Sequence, residues 1–166
     1  LDNEPLADLV QRLAALCLER GVVVATAESC TGGLIAKLIT DMAGSSGFFC
    51  GGVVSYSNEI KTLLLDVPPE QLAAHGAVSA QVARSMAVGA RARMKSDLAV
   101  SVTGVSGPSG GSAAKPVGLT YVGIADAAGV EVRRFVWSGD RQKNRESTAR
   151  AALDLLIGRV SAAGQE

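Results

Sequence analysis

Val22-Val23-Val24-Ala25-Thr26-Ala27 is almost wholly apolar, and Glu28-Ser29-Cys30-Thr31-Gly32-Gly33 breaks it abruptly. A short, β-branched apolar run suits a strand covered on both faces, as in the parallel sheet of an α/β protein. The polar, glycine-rich break runs into Leu34-Ile35-Ala36-Lys37-Leu38-Ile39-Thr40-Asp41-Met42, which reads as a helix. Strand, tight turn and helix in that order make a βα unit.

The alternation continues on both sides. Upstream, Leu6, Leu9, Val10, Leu13, Leu16 and Cys17 recur at helical spacing between Pro5 and Gly21, predicting a helix over about 4–20. Downstream, Ala43 to Gly47 is a loop by composition and Phe48–Ser55 a second strand. Ser57 or Asn58 caps a short helix through Leu65, Pro68-Pro69-Glu70 opens another ending near His75-Gly76, and Ser79 caps a longer one. Leu98–Thr103 is a third buried strand. Val117–Ala125 and Val130–Trp137 flank Asp126-Ala127-Ala128-Gly129, a hairpin signal. Asp140 caps a last helix to about Val160. The sum is a three-layer α/β/α sandwich whose mostly parallel mixed sheet carries one antiparallel hairpin.

Length and composition agree. The 166 residues predict a single domain, 1–166, with its core over about 5–160. Sixteen basic and sixteen acidic residues balance, so no net charge draws the chain to nucleic acid or to an anionic membrane. No apolar run reaches the ~20 residues of a membrane span, and the acidic, amphipathic start is no signal peptide. Cys17, Cys30 and Cys50 form no CxxC pair, which fits a reducing, cytoplasmic setting and argues against a zinc knuckle. The single histidine, His75, excludes a site built on two imidazole ligands. It reads as a helix-end residue before Gly76. Neither a metal nor a cofactor is expected.

Ligands of open α/β sheets bind beyond the carboxyl ends of the strands. Three segments leave such ends: Glu28–Gly33, Tyr56–Lys61 and Gly104–Lys115. In the first, Ser29 sits on a turn whose glycines leave room for backbone N–H groups to face a ligand. Taken alone, the pattern favours an ordinary βα turn capped by serine or threonine. In the second, Tyr56 and Lys61 are placed to share one cleft. A lysine with its pKa lowered by burial makes a base there, whereas an exposed one merely lies along its helix. The third holds four glycines in twelve residues, suiting close approach of the backbone to a ligand. Cys30 is a lesser candidate nucleophile. Glu28 serves either the turn or the solvent. Arg141 and Arg145 share a helix face and suit either a phosphate clamp or a solvated surface.

Six segments in order are similar to one family: AESCTGGLIAKLITDMAGSSGFF from Ala27, GGVVSYSNEIKTLLL from Gly51, HGAVS from His75, VTGVSGPSGG from Val102, KPVGLTYVGI from Lys115 and SGDR from Ser138. Together they resemble the CinA C-terminal domain, also known as nicotinamide-nucleotide amidase. The resemblance spans about residues 5–160. It implies hydrolysis of nicotinamide mononucleotide to nicotinate mononucleotide and ammonia, in pyridine-nucleotide recycling. It implies Ser29 as nucleophile, Tyr56 and Lys61 as its catalytic partners, and Ser46 as a further site residue. Ser106 and Ser109 stand where the family varies. The N-terminal domain of larger members has no counterpart in this length.

The resulting expectation is a Ser-Lys amidase without metal. Lys61 takes the Ser29 proton, the Cys30, Thr31, Gly32 and Gly33 turn receives the oxyanion, and Tyr56 relays a proton to ammonia. Gly104, Gly107, Arg141 and Arg145 are expected to hold the substrate. A homodimer or larger assembly is expected. A nucleotide-binding module without catalysis, or an amidase for another small amide, are the alternatives.

Overall fold

The computed structural model describes residues 4–162. In chain order its elements are α1 (Leu6–Arg20), β1 (Val24–Glu28), α2 (Leu34–Thr40), a 3-10 turn (Ser45–Gly47), β2 (Phe49–Val54), α3 (Asn58–Leu65), α4 (Pro69–His75), α5 (Ala80–Met94), β3 (Leu98–Gly104), β4 (Leu119–Ala125), β5 (Val130–Val136) and α6 (Arg141–Ala162). The sheet order is β2-β1-β3-β4-β5. β1 pairs parallel with β2 and β3, while β4 is antiparallel to both β3 and β5. Four strands therefore run one way and β4 alone runs back, as the α/β/α reading with one hairpin requires. The 3-10 turn is the one element added to the sequence reading, inside a predicted loop.

Strand alternation sorts the two helical layers. Val24, Val100, Val102, Val122 and Ile124 face α1, α2 and α6. Ala25, Ala27 and Ala99 face the other way, toward α3 to α5. Small residues on that second face let α5 lie close. Ser101 Oγ donates to Ala83 O on α5 at 2.5 Å, and a Cβ on Gly123 would stand 2.7 Å from the same oxygen. Gly123 is thus fixed by helix–sheet approach.

Capping sets the element starts as expected. Ser57 Oγ accepts from Ile60 N at 3.2 Å, Ser79 Oγ from Val82 N at 3.3 Å, and Asp140 Oδ1 from Lys143 N at 2.8 Å. Among the described residues no helix is long and apolar enough to cross a membrane.

The topology fixes where a ligand can sit. From β1 the chain crosses to β2 through α2 on one face. It then returns over α3 to α5 on the other face to β3, on β1's far side. The carboxyl ends of β1 and β3 therefore frame a topological switch point, where the crossovers diverge and leave a crevice.

Candidate active site

The crevice is present as a cavity of about 290 Å³, lined among others by Ser29, Cys30, Tyr56, Lys61, Gly107 and Arg141. A larger groove of about 870 Å³ lies elsewhere, between β5 and α6, and holds none of these groups. The three loops singled out in the sequence converge on the smaller cavity.

Ser29 immediately follows β1, and its N–H donates to Val102 O at 3.0 Å. That bond ties the turn to β3. Gly32 and Gly33 then take φ of +62° and +96°, a left-handed region open to glycine, and reverse the chain into α2. Glu28 organises the rest. Its carboxylate, 1% exposed, accepts from Thr31 Oγ1 at 2.6 Å, Gly33 N at 3.0 Å, Ile35 N at 3.1 Å and Ala36 N at 2.8 Å. A negative group at the first turn of α2 meets the otherwise orphaned amides and the positive helix end. Of the two uses considered for Glu28, the structure shows the turn.

This network narrows the expected oxyanion donors. Gly33 N–H is taken by Glu28, and Gly32 N–H by Ser29 O at 3.0 Å. Within the turn, the N–H groups of Cys30 and Thr31 alone have no chain acceptor among the described residues. Thr31, Gly32 and Gly33 build the turn and do not line the cavity.

Lys61, on the first turns of α3, reaches back under the end of β2. Its Nζ is 3.0 Å from Ser29 Oγ, 2.7 Å from Ser55 O and 3.4 Å from Tyr56 O. The residue is 1% exposed, and no carboxylate pairs with it among the described residues. Burial lowers its pKa from 10.5 to about 8, with only the weak opposing influence of Cys30. In the ammonium form, three hydrogens match three acceptors. In the amine form, the two carbonyls take both hydrogens and leave the lone pair facing Ser29 Oγ.

Cys30 lies in the cavity wall but is 8% exposed. Burial pushes its thiol up to about 11, which keeps it protonated and poorly nucleophilic.

Three further expected site residues sit differently from the expectation. Tyr56 lines the mouth and is 63% exposed; its hydroxyl lies 3.5 Å from Arg141 Nη2, and only its backbone oxygen meets Lys61. Arg145 does not reach the cavity. Its Nη2 donates to Thr31 O at 2.6 Å, so from α6 it clamps the turn that follows β1. Ser46 lies on the exposed 3-10 turn that leads into the start of β2, beside the Val24 N–H to Phe48 O bond. It is at the amino end of the sheet, and the chain's own cavity is at the carboxyl end, a strand length away.

Gly104 and Gly107 both line the cavity, as expected. Arg141 does too, and its Nη1 donates to Gly107 O at 2.8 Å. Asn144 was not singled out in the sequence, where it looks like one more polar residue of α6. It is 2% exposed, and its Nδ2 donates to Ser106 O at 3.1 Å. The available signal was its position three residues after Arg141, on the helix face that continues to buried Thr148.

Known proteins share this fold. The family model of the CinA C-terminal domain matches residues 6–160. A CinA-like protein of Geobacter sp. (strain M21) is 54% identical over 155 residues, which cover 93% of this chain and 37% of that protein. A putative competence-damage inducible protein of Caldicellulosiruptor bescii is 49% identical over 156 residues, covering 94% and 37%. The chain thus spans little more than a third of these curated relatives. The crystal structure of the competence/damage inducible protein CihA from Agrobacterium tumefaciens superposes with a TM-score of 0.90 at 42% identity, covering 92% of this chain and 94% of that one. A CinA superfamily protein from Klebsiella pneumoniae gives 0.92 at 31% identity, covering 96% and 99%. With the family model matching residues 6–160 and the fold shared, the chain belongs to the CinA C-terminal domain family.

Proposed function

We propose that this domain hydrolyses the carboxamide of nicotinamide mononucleotide through a Ser29–Lys61 pair. One observation carries the reading: a buried lysine with no carboxylate partner among the described residues stands 3.0 Å from a serine hydroxyl at a sheet switch point. A structural lysine would be expected to pair with a carboxylate or reach solvent; a base needs its proton to be removable.

The neutral Lys61 amine takes the proton of Ser29 as Oγ attacks the carboxamide carbon. The developing oxyanion is met by the Cys30 N–H at the cavity wall, one such donor being worth ~3 kcal/mol in typical cases. The Lys61 ammonium then gives its proton to the departing nitrogen, releasing ammonia and leaving a nicotinoyl ester on Ser29. Water enters, Lys61 takes one of its protons, and the ester breaks to nicotinate mononucleotide with Ser29 restored. Lys61 serves as acid as well as base because no contact joins the Tyr56 hydroxyl to Ser29 or Lys61. Tyr56 instead closes the cavity mouth beside Arg141. The scheme uses no metal and no cofactor, and its setting is pyridine-nucleotide recycling in the cytoplasm.

Ammonia release from nicotinamide mononucleotide by wild type, Ser29→Ala and Lys61→Met tests the reading. Turnover lost in both variants is expected. Wild-type binding of the nucleotide without ammonia at any pH from about 6 to 9 would replace the enzyme by a nucleotide-binding module. Faster turnover of a different amide in a substrate panel would reassign the substrate.

A further inference from the structure

We infer that Asn144 is a positioning residue that aims the Gly107 N–H into the cavity as a donor to the substrate's phosphomonoester. The inference rests on the amidase reading above and adds to it a source of substrate specificity.

The orientation of the Asn144 side chain is fixed by its partners. Gly139 N–H donates to Oδ1 at 3.0 Å, so Nδ2 must be the atom facing Ser106 O at 3.1 Å. Asn144 is 2% exposed and lies behind the glycine-rich loop rather than in the cavity wall. A trans peptide directs its C=O and its N–H in opposite directions. The Ser106–Gly107 peptide has its oxygen drawn back onto α6, so the Gly107 N–H points away from α6. Gly107 itself lines the cavity, and its N–H has no acceptor among the described residues. One turn earlier on α6, Arg141 holds Gly107 O at 2.8 Å and brings a guanidinium to the same wall.

A free amide beside a guanidinium, in a glycine-rich loop, is a site for a compact anion. The N-glycosylated nicotinamide ring of the mononucleotide is a pyridinium cation and offers no negative charge there. The phosphate of the mononucleotide does. Gly107 cannot be replaced to test this directly, because its φ is +85° and a Cβ would stand 2.5 Å from Val117. Asn144→Asp is nearly isosteric. It keeps an acceptor for Gly139 N–H and turns a donor to Ser106 O into a repelling oxygen.

Turnover of nicotinamide mononucleotide is compared with that of nicotinamide riboside, which lacks the phosphate. For Asn144→Asp we expect kcat/KM on the mononucleotide to fall roughly tenfold to hundredfold, chiefly through KM, the range of one hydrogen bond to a charged group. On the riboside it should stay within about threefold, a change too small to represent a lost bond to a charged group. Equal losses on both substrates would mean a general structural role and overturn the inference. No loss on either would overturn it as well.

A second measurement needs neither the variant nor catalysis. In wild type, the Gly107 amide resonance should shift on titration with ribose 5-phosphate and stay in place with ribose. An unresponsive resonance overturns the inference even if the amidase reading holds. A responsive one sustains the contact between the Gly107 N–H and a phosphomonoester even if no amide is hydrolysed.

Discussion

Replacing Lys61 by methionine should remove a pH-dependent instability together with the activity. Lys61 is 1% exposed, and burial takes its pKa from 10.5 down to about 8. Below pH 8 the folded and unfolded chains both hold the proton, and the folded state bears the whole cost of burying the ammonium. Between 8 and 10.5 only the unfolded chain holds it, so this contribution to stability rises with pH. Above 10.5 both forms are neutral and the cost is gone. At 1.36 kcal/mol per pKa unit the cost near pH 7 is about 3 kcal/mol. Integrating proton binding leaves about 1 kcal/mol of it at pH 10, so about 2 kcal/mol is regained between pH 7 and pH 10. Cys17 and Cys30 act in the opposite sense. Burial raises each thiol from 9.0 to about 11, so the unfolded chain ionises first and stability falls across that window. Both cysteines are common to the two proteins, and the difference between them cancels this effect apart from the small mutual influence of Cys30 and Lys61. The three bonds lost at Nζ shift the comparison by an amount that varies little with pH. Urea unfolding of wild type and Lys61→Met at pH 7 and pH 10 therefore isolates the titration. The difference in unfolding free energy should move by about 2 kcal/mol in favour of wild type at the higher pH. A difference constant to within about 0.5 kcal/mol, near the error of such extrapolations, would refute the neutral-base argument, because Lys61 would then titrate alike in both states.

The catalytic reading makes a kinetic counterpart. Under it, kcat/KM for nicotinamide mononucleotide should rise tenfold per pH unit below about 8 and level off above, following the amine form of Lys61. A pH-rate profile flat from 6 to 9 would contradict it. Cys30→Ser should keep activity within about tenfold of wild type, since a thiol held near 11 supplies almost no thiolate; loss comparable to Ser29→Ala would transfer the nucleophile to Cys30. Glu28→Gln replaces an acceptor of four hydrogen bonds by a group that also donates, and should cost roughly 2–4 kcal/mol in urea unfolding. Arg145→Met frees Thr31 O and loosens the turn that carries the proposed nucleophile. We expect kcat to fall several-fold with KM little changed, measured by steady-state ammonia release.

The fold was legible in the sequence because its signals are local. Val22 to Ala27 is apolar enough to demand burial on both faces, and Ser57, Ser79 and Asp140 each cap the helix they precede. The site was legible as loops, since each follows a strand and strand ends converge on one edge of a sheet. The contacts within it were not. Nothing in the order of residues 28–36 tells that Glu28 will spend its carboxylate on four partners. The outcome depends on α2 starting one residue after Gly33. Arg141 and Arg145 look equivalent on a helical projection, yet four residues of rise bring one to the cavity and the other to Thr31 O, against the adjoining strand-end turn. Ser46 was carried into the site by family resemblance alone, and the 3-10 turn sets it at the far end of β2.

Under the proposed mechanism, the placement of Glu28 also explains how Lys61 would serve as a base with a carboxylate close by in sequence. Glu28 and Ser29 are neighbours, and Lys61 touches Ser29. A carboxylate sharing that face would hold Lys61 as a permanent ammonium. Strand alternation prevents it. Val24 faces the layer of α1, α2 and α6, and Glu28, four residues on, faces the same way. Ala25 and Ala27 face the opposite layer, from which α3 delivers Lys61. The sheet therefore stands between the two charges, and Glu28 has no part in the pKa of Lys61, although it does raise that of Cys30. One consequence can be measured. Ala27→Asp would put a carboxylate on the α3 side, and in a chain that still folds it should raise the Lys61 pKa and push the rising limb of the pH-rate profile above pH 8. A limb that stays where it is in a folded Ala27→Asp protein would mean that the sheet is not what insulates the base.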